Sequence, residues 1–236
     1  MELKDKVAVV SGASGGLGWA ISRLLLERGV MVFGLARSAE KLAQLSSAYD
    51  GFRGIVCDIT DEEAVARAAS IVQAVTPRVD ILINNAGLGR FGPIDQLSSE
   101  DWHRQMRTNL DGVYYLTKRF VGPMKQQNVA EGFGGHIVNV ASVAGLMGNP
   151  NISAYNATKF GLRGMSEALF KELRADGIKV SCIYPGSIET DFFDVAEMPM
   201  SKNPMQATDV AATVLHLLEA PDNYLISEVV MRPLRP

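Results

Sequence analysis

Seven short apolar runs, separated by segments with helical periodicity, constrain the fold of this chain more than any other feature. Several of the runs are apolar without interruption, which is typical of strands buried on both faces of a sheet. Strands that alternate with helices predict an α/β fold, in which a seven-stranded parallel sheet is covered by helices on both faces. The predicted strands are Val7–Val10, Val30–Leu35, Gly54–Cys57, Asp80–Ile83, His136–Val140, Val180–Tyr184 and Glu228–Met231. The predicted helices are Leu17–Glu27, Glu40–Ser46, Asp61–Val75, Glu100–Asn109, Asp111–Gln126, Ala154–Asp176 and Thr208–Glu219.

The length of the chain, 236 residues, suits one large α/β domain and is short for two. We therefore predict a single domain over residues 1–236, with an irregular segment at about 187–205 after the sixth strand. The composition is 47% hydrophobic and 21% charged, with a formal net charge of −3. This balance gives no support to nucleic-acid or membrane-surface binding, because both usually need a basic excess.

Neither a signal peptide nor a membrane span is expected. The segment Met1–Lys6 is charged and precedes too few apolar residues for a signal peptide, and no apolar run approaches the ~18 residues that cross a bilayer. We therefore expect a cytoplasmic protein. Cys57 and Cys182 lie in apolar runs without metal-ligand spacing. They predict buried reduced thiols rather than a disulfide or a zinc site, and we assign no metal site.

A glycine-rich turn follows the first predicted strand. Residues Ser11 to Gly18 connect this strand to a helical pattern, so Gly16 to Gly18 lie where the helix begins and its N–H groups point outward. Such a helix end attracts phosphate, and glycine lets the backbone approach it closely. A glycine-rich turn alone is often only a tight connection. Its strand and helix flanks favour dinucleotide binding here.

Tyr155 and Lys159 are four residues apart, on one face of a predicted helix. A phenol ordinarily titrates near pH ~10, so a proton-shuttling tyrosine needs a nearby positive charge, which Lys159 can supply. The alternative is an amphipathic helix with a surface lysine. Ser142 follows the fifth strand, 13 residues before Tyr155, at the carboxyl edge of the sheet where such folds bind ligands. Ser142 could instead be only a helix cap.

Together with Asn84 to Gly87 after the fourth strand, these segments resemble the short-chain dehydrogenase/reductase family, of the compact single-domain kind, over nearly all of the chain. The glycine motif of that family usually opens with Thr, and here it opens with Ser11. The resemblance implies a doubly wound Rossmann fold. The catalytic residues that it implies are Asn109, Ser142, Tyr155 and Lys159.

The resemblance also implies a role for each of these four residues. Tyr155 exchanges a proton with the substrate oxygen as hydride moves to or from the nicotinamide, and Ser142 donates a hydrogen bond to the same oxygen. Lys159 lowers the Tyr155 pKa and bonds the nicotinamide ribose. Asn109 holds a water molecule beside that lysine. The alternative is that Asn109 lies at a helix break and hydrogen-bonds only its own backbone, and this alternative is compatible with the implied role.

NADP(H) is the expected cofactor. An NAD enzyme normally has an acidic residue at the end of the second strand, whereas this chain has Ala36 followed by Arg37 and Ser38, which can bind a 2′-phosphate. The family resemblance further implies that Asp58 contacts adenine and that the Ile188 backbone holds the carboxamide. The complete expected set is Gly12, Ser14, Gly16, Leu17, Gly18, Arg37, Ser38, Asp58, Ile59, Asn85, Ala86, Gly87, Tyr155, Lys159, Pro185, Gly186, Ile188 and Thr190.

The expected activity is interconversion of a carbonyl and a secondary alcohol on a small molecule. The segment at about 187–205 should cover the substrate, and 3-oxoacyl thioesters, hydroxy acids and xenobiotic ketones remain open as substrates. The alternative is a catalytically silent nucleotide sensor or scaffold, which would have a broken catalytic set. A homodimer or homotetramer is also expected, because Phe160 and Phe170 project away from the main apolar stripe of their helix.

Overall fold

A computed structural model describes residues 1–192, 196 and 202–235 of the chain. The described residues form one sheet in which all neighbouring strands are parallel, in the order β3-β2-β1-β4-β5-β6-β7. The strands are β1 (Val7–Ser11), β2 (Met31–Ala36), β3 (Phe52–Val56), β4 (Ile81–Asn84), β5 (Gly135–Val140), β6 (Ile178–Pro185) and β7 (Glu228–Met231). The described helices are α1 (Gly16–Glu27), α2 (Ala39–Ala48), α3 (Glu62–Val75), α4 (Ser99–Met106), α5 (Gly112–Glu131), α6 (Ser153–Leu173) and α7 (Ala207–Glu219).

The strand order reverses between β1 and β4, as it does in a doubly wound sheet. Two apolar cores lie on the two faces. One packs α1 and α7 against the sheet through residues such as Ile21 and Val214. The other packs α3 and α5 against the opposite face through residues such as Val72 and Phe120. The predicted seven-stranded parallel sheet with helices on both faces is confirmed.

Side-chain caps and acidic first turns explain where several helices begin. Asp61 caps α3 by accepting from the Glu63 N–H, and Glu62 and Glu63 lie in the first turn, where negative charge complements the helix dipole. Ser38 caps α2 in the same way by accepting from the Lys41 N–H. The predicted bounds of these helices differ from the observed ones by one or two residues.

The predicted break between the helices Glu100–Asn109 and Asp111–Gln126 is wrong. A π-helical turn at Arg107–Asp111 joins α4 to α5, so the helical path is continuous. A π turn shifts the register of a helix without ending it, and the hydrophobic pattern therefore looks interrupted in the sequence. Asn109 lies within this turn.

The predicted irregular segment at about 187–205 lies partly outside the described residues. Its two ends are paired, because the Glu189 N–H donates to the Met205 carbonyl and the Met205 N–H donates to the Ser187 carbonyl, both at 2.9 Å. The two cysteines are buried and free. None of the helices described is both long and apolar enough to span a membrane.

Candidate active site

A cavity of about 880 Å³ opens at the carboxyl edge of the sheet, where β1, β4, β5 and β6 end. It is lined by the glycine-rich turn, by the residues that follow these strands and by the first turns of α6. Parallel strands bring all their carboxyl ends to one edge, so segments far apart in the sequence meet there. Of the expected cofactor-binding residues, all but Gly18 and Ser38 line this cavity.

The glycine-rich turn has no room for side chains at two of its positions. Gly12 has a φ of 68°, and a Cβ atom at Gly18 would overlap the Gly12 carbonyl oxygen. Gly18 therefore packs the turn against the helix rather than lining the cavity. Gly15, the residue before α1, provides no side-chain cap, so the first N–H groups of the helix are available to an anion. The turn fits a pyrophosphate group.

The hydroxyl of Ser11 ties the glycine-rich turn to the end of β4. Its Oγ accepts from the N–H groups of Asn85 (3.0 Å) and Ala86 (3.1 Å) and donates to the Ile83 carbonyl (3.3 Å). Ser11 therefore provides the hydroxyl that the Thr of the family pattern would provide. The Asn84 side chain, in contrast, lies between the sheet and α5, where it donates to Asn139 Oδ1 at 2.8 Å and to Thr117 Oγ1 at 3.3 Å.

Tyr155 and Lys159 both lie at the cavity and are otherwise buried, with 8% and 3% of their surfaces exposed. Lys159 Nζ donates to the Val140 carbonyl at the end of β5 (2.9 Å) and lies 5.5 Å from the centre of the Tyr155 ring. Burial lowers the pKa of Lys159 to about 8. The predicted placement of a phenol and an amine on one face of a helix agrees with this geometry.

The electrostatics of the pair differ from the expectation. Burial raises the pKa of Tyr155 to about 12, and hydrogen bonding with Ser142 acts in the opposite direction. Loss of hydration of the phenolate therefore outweighs any stabilisation by the ammonium group, which is itself turned towards the Val140 carbonyl. Tyr155 is protonated near neutral pH in this geometry.

Ser142 caps a helical turn and also lies at the cavity, so the two alternatives considered from the sequence are compatible in position. It caps the short 3₁₀ turn Val143–Gly145, because its Oγ accepts from the Ala144 N–H at 3.2 Å. It also lines the cavity beside Tyr155. The loop between β5 and α6 thus brings the two hydroxyls together.

Asn109 does not line the cavity. Its amide group is 1% exposed, exchanges two 2.8 Å hydrogen bonds with the backbone of Leu88 and donates to Thr158 Oγ1 at 3.0 Å. A Cβ atom at Gly87 would lie 3.5 Å from Asn109 Oδ1 and 3.6 Å from Lys159 Nζ, so Asn109 and the lysine approach the same strand end. The Asn109 side chain therefore hydrogen-bonds the backbone of another segment, at Leu88, and not the backbone of its own helix.

Where β2 ends, the cavity is lined by two cations, Arg37 and Lys41. Lys41 is not among the cofactor-binding residues expected from the sequence, although a second cation one helical turn after Arg37 is a usable signal for an anionic ligand. Ser38 does not line the cavity because its hydroxyl caps α2. Asp58 lines the same end, and its carboxylate accepts from the N–H and hydroxyl of Thr60.

Two aromatic residues that the sequence did not single out surround Tyr155. The Phe91 ring stands edge-on to the Tyr155 ring with centroids 5.4 Å apart, and the Phe192 ring lies 5.8 Å from it. Both line the cavity, together with Leu88 and Ile152. No pattern marks Phe91 in the sequence, since its loop is held by long-range hydrogen bonds, from the Arg90 N–H to Gln105 Oε1 and from the Gly92 N–H to the Asn151 carbonyl.

Comparison with known proteins identifies the family of this arrangement. A model of the short chain dehydrogenase family matches residues 6–199. The 3-oxoacyl-[acyl-carrier-protein] reductase of Haemophilus influenzae is 37% identical over 195 residues, which cover 82% of this chain and 78% of that protein. An alcohol dehydrogenase from Thermococcus sibiricus, complexed with 5-hydroxy-NADP, has a TM-score of 0.89 at 27% identity over 99% of both chains. The 3-ketoacyl-(acyl-carrier-protein) reductase of Brucella melitensis, complexed with NADH, has a TM-score of 0.91 at 26% identity over 99% of both chains.

Proposed function

Because the chain belongs to the short-chain dehydrogenase family, we propose that it is an NADP-dependent oxidoreductase that interconverts a ketone or aldehyde and an alcohol. The observation that carries the proposal is the convergence of Ser142, Tyr155 and Lys159 on one cavity with the glycine-rich turn. A silent sensor or scaffold on the same fold needs no such set. The intact catalytic positions therefore favour turnover.

Each catalytic side chain has a task that its surroundings support. Tyr155 holds a proton at neutral pH, because burial raises its pKa to about 12, and it donates that proton to the oxygen of a carbonyl substrate. The Ser142 hydroxyl donates a hydrogen bond to the same oxygen. Lys159 holds positive charge beside the phenol and stabilises the phenolate that remains. The bound nicotinamide supplies or accepts the hydride. In alcohol oxidation the Tyr155 phenolate accepts the proton of the alcohol hydroxyl, and Ser142 keeps its hydrogen bond to the same oxygen.

The preference for NADP rests on the charges at the end of β2. Ala36 provides no carboxylate to accept from a ribose 2′-hydroxyl, while Arg37 and Lys41 line the same end of the cavity. Two cations there can bind a 2′-phosphate with charge-assisted hydrogen bonds. We also propose for Asn109 the role expected from the sequence, which is to hold a water molecule beside Lys159, with its amide group fixed by the Leu88 backbone.

The substrate is best matched by an apolar ketone. Rings of Phe91 and Phe192 and the aliphatic side chains of Leu88 and Ile152 line the cavity around Tyr155. Such a surface suits the carbon skeleton of a 3-oxoacyl thioester or a xenobiotic ketone better than that of a small hydroxy acid. The segment at about 187–205, whose ends are paired, is proposed to cover this substrate.

The test of this function is a panel of ketones, alcohols and 3-oxoacyl thioesters, assayed by the absorbance of the reduced cofactor. Apolar ketones should be reduced with NADPH, and small hydroxy acids should be oxidised poorly. Tight NADPH binding without turnover of any member of the panel would instead support the silent sensor.

We also propose that the protein is a homodimer or homotetramer. Phe160 on α6 is 43% exposed, and Tyr114 on the neighbouring α5 is also exposed. The expectation for Phe170 is wrong, because this ring packs against the core of its own chain and Arg174 lies over it at 5.9 Å. Light scattering at micromolar concentration should give a multiple of 25.5 kDa. A Phe160→Glu variant should shift the mass towards the monomer, and a wild-type monomer would contradict the proposal.

A further inference from the structure

Asn156, the residue after Tyr155 on α6, is buried and bonds one loop through three hydrogen bonds. Its Nδ2 donates to the carbonyls of Ala144 (2.6 Å) and Met147 (2.8 Å), and its Oδ1 accepts from the Asn149 N–H (3.0 Å). This loop connects Ser142 to α6. A primary amide is suited to the position because it provides two donors and an acceptor in one rigid plane.

Ala144 connects Asn156 to Ser142. The carbonyl of Ala144 accepts from Asn156, while its N–H donates to Ser142 Oγ. Both polar backbone groups of this residue are therefore fixed. The loop also has little freedom to shift along α6, since a Cβ atom at Gly145 would lie 2.7 Å from the Lys159 carbonyl oxygen.

The hydrogen bond from Ala144 decides which way the Ser142 hydroxyl points its proton. Because Oγ accepts from the Ala144 N–H, the hydroxyl hydrogen is directed towards another acceptor. Hydrogen bonding with Ser142 opposes the rise of the Tyr155 pKa, in keeping with two hydroxyl groups that line the same cavity. In the reaction, the same proton must point at the substrate oxygen.

We propose that Asn156 is a positioning residue for Ser142: it holds Ala144 so that the Ser142 hydroxyl donates into the cavity. The inference rests on the proposed function and adds a residue to its machinery. Asn156 sits next to Tyr155 on the same helix turn, so one rigid element sets the positions of both hydroxyl groups. Small displacements of such groups reduce turnover strongly, because the hydrogen bond to the reacting oxygen depends on geometry.

The test is a double-mutant cycle of Asn156→Ala and Ser142→Ala, measured on the best ketone of the panel. Asn156→Ala should lower kcat by roughly 10- to 100-fold. In the Ser142→Ala background the same substitution should have less than about a three-fold further effect, because the group that it positions is gone. The dissociation constant of NADPH should change by less than about two-fold. Asn223→Ala, at an exposed loop residue, is the matched control.

The proposal would be overturned if the double variant loses kcat by the product of the two single losses. It would also be overturned if Asn156→Ala keeps the wild-type kcat. If Asn156→Ala does not fold, Asn156→Ser provides the same cycle with a smaller loss of polar contacts. An inactive wild type refutes the proposed function, and the positioning role is then decided by amide hydrogen exchange. Ala144 should exchange at least about ten-fold faster in the variant, and unchanged protection would overturn the role.

Discussion

Two buried lysines lie at opposite edges of the same sheet. Lys159 bonds the carbonyl at the end of β5, at the carboxyl edge, and Lys179 lies near the start of β6, at the amino edge. Both are at most 5% exposed, and burial lowers the pKa of both. Residue type, burial and the direction of the pKa shift therefore do not distinguish them.

What distinguishes the two lysines is the neighbourhood of each ammonium group. Lys179 Nζ donates to the carbonyls of Ala220 (3.2 Å) and Pro221 (2.5 Å), just after the end of α7, and Phe133 covers it at 5.6 Å. Lys159 Nζ donates to one carbonyl and borders the large cavity. The first arrangement ties chain segments together. The second leaves an amine in contact with a ligand site.

The largest expected effect belongs to Tyr155→Phe at the carboxyl edge. Removing the phenolic proton should lower kcat by about 10² to 10⁴, the usual contribution of general acid catalysis, while NADPH binding is retained. Tyr184→Phe is the control, since the Tyr184 hydroxyl is also buried but bonds Glu228 away from the cavity. Near wild-type turnover in Tyr155→Phe would remove the catalytic assignment.

Lys159→Met and Lys179→Met compare the two edges directly. Lys159→Met should lower kcat by at least about 10², because the charge beside Tyr155 is lost. Lys179→Met should leave turnover per folded molecule unchanged but lower the free energy of unfolding by about 1–3 kcal/mol, since it removes the hydrogen bonds of the ammonium group to the Ala220 and Pro221 carbonyls. Steady-state kinetics and urea denaturation of both variants measure the two effects. Equal losses of kcat in the two variants would show that the two lysines do not differ in their effect on turnover.

Substitutions at the end of β2, where the 2′-phosphate is proposed to bind, should have a smaller effect on kcat/KM that depends on which cofactor is used. A charge-assisted hydrogen bond is worth about 1.5–3 kcal/mol, so Arg37→Ala should reduce the advantage of NADPH over NADH in kcat/KM by roughly 10- to 150-fold. The change should appear mainly in KM, because the 2′-phosphate is remote from the reacting carbon. Lys41→Ala should act in the same direction. A wild-type enzyme that favours NADH would contradict this assignment.

The complementary substitution introduces a carboxylate at position 36, where the chain has alanine. Ala36→Asp combined with Arg37→Ala should reverse the preference, since the new carboxylate accepts from the 2′-hydroxyl of NADH and repels the phosphate of NADPH. The measurement is the ratio of kcat/KM for the two reduced cofactors. A double variant that still prefers NADPH would show that the cations at this end do not decide the choice.

The last expected effect is on stability in acid and comes from the amino edge. Burial lowers the pKa of His136 to about 3, and the positive charge of its sheet neighbour Lys179 acts in the same direction. The unfolded chain binds a proton at this histidine below its ordinary pKa of about 6.5, while the folded chain does not. The free energy of unfolding should therefore fall as the pH decreases below about 6.5, by about 2 kcal/mol at pH 5.

A His136→Gln variant separates this contribution from the other titrating groups. It should lose that part of the pH dependence while keeping a donor to Ser181, whose Oγ lies 2.8 Å from His136 Nε2. Denaturation curves of wild type and variant at pH 7, 6 and 5 measure the difference. Parallel pH dependences would show that the pKa of His136 does not differ between the folded and the unfolded chain.

The sequence was sufficient to predict features that depend on the type of backbone structure and on local spacing. Unbroken apolar runs indicated the parallel sheet, because a strand covered on both faces has no polar side. The glycine-rich turn and the Tyr155–Lys159 spacing indicated a nucleotide and a proton donor, because phosphate needs free N–H groups at a helix start and a helix turn brings residues four apart onto one face.

Only the tertiary structure decided the properties that depend on which distant residues pack against a side chain. It placed Phe91 against Tyr155, Asn156 against Ala144 and the Asn109 amide against the Leu88 backbone, contacts between segments far apart in the chain. It also reversed the expected direction of the Tyr155 pKa, because the cost of burying a phenolate depends on three-dimensional burial, which local spacing does not contain. The two lysines make the same point: one sequence contains both, and only their surroundings separate a lysine that ties backbone together from one that borders a ligand site.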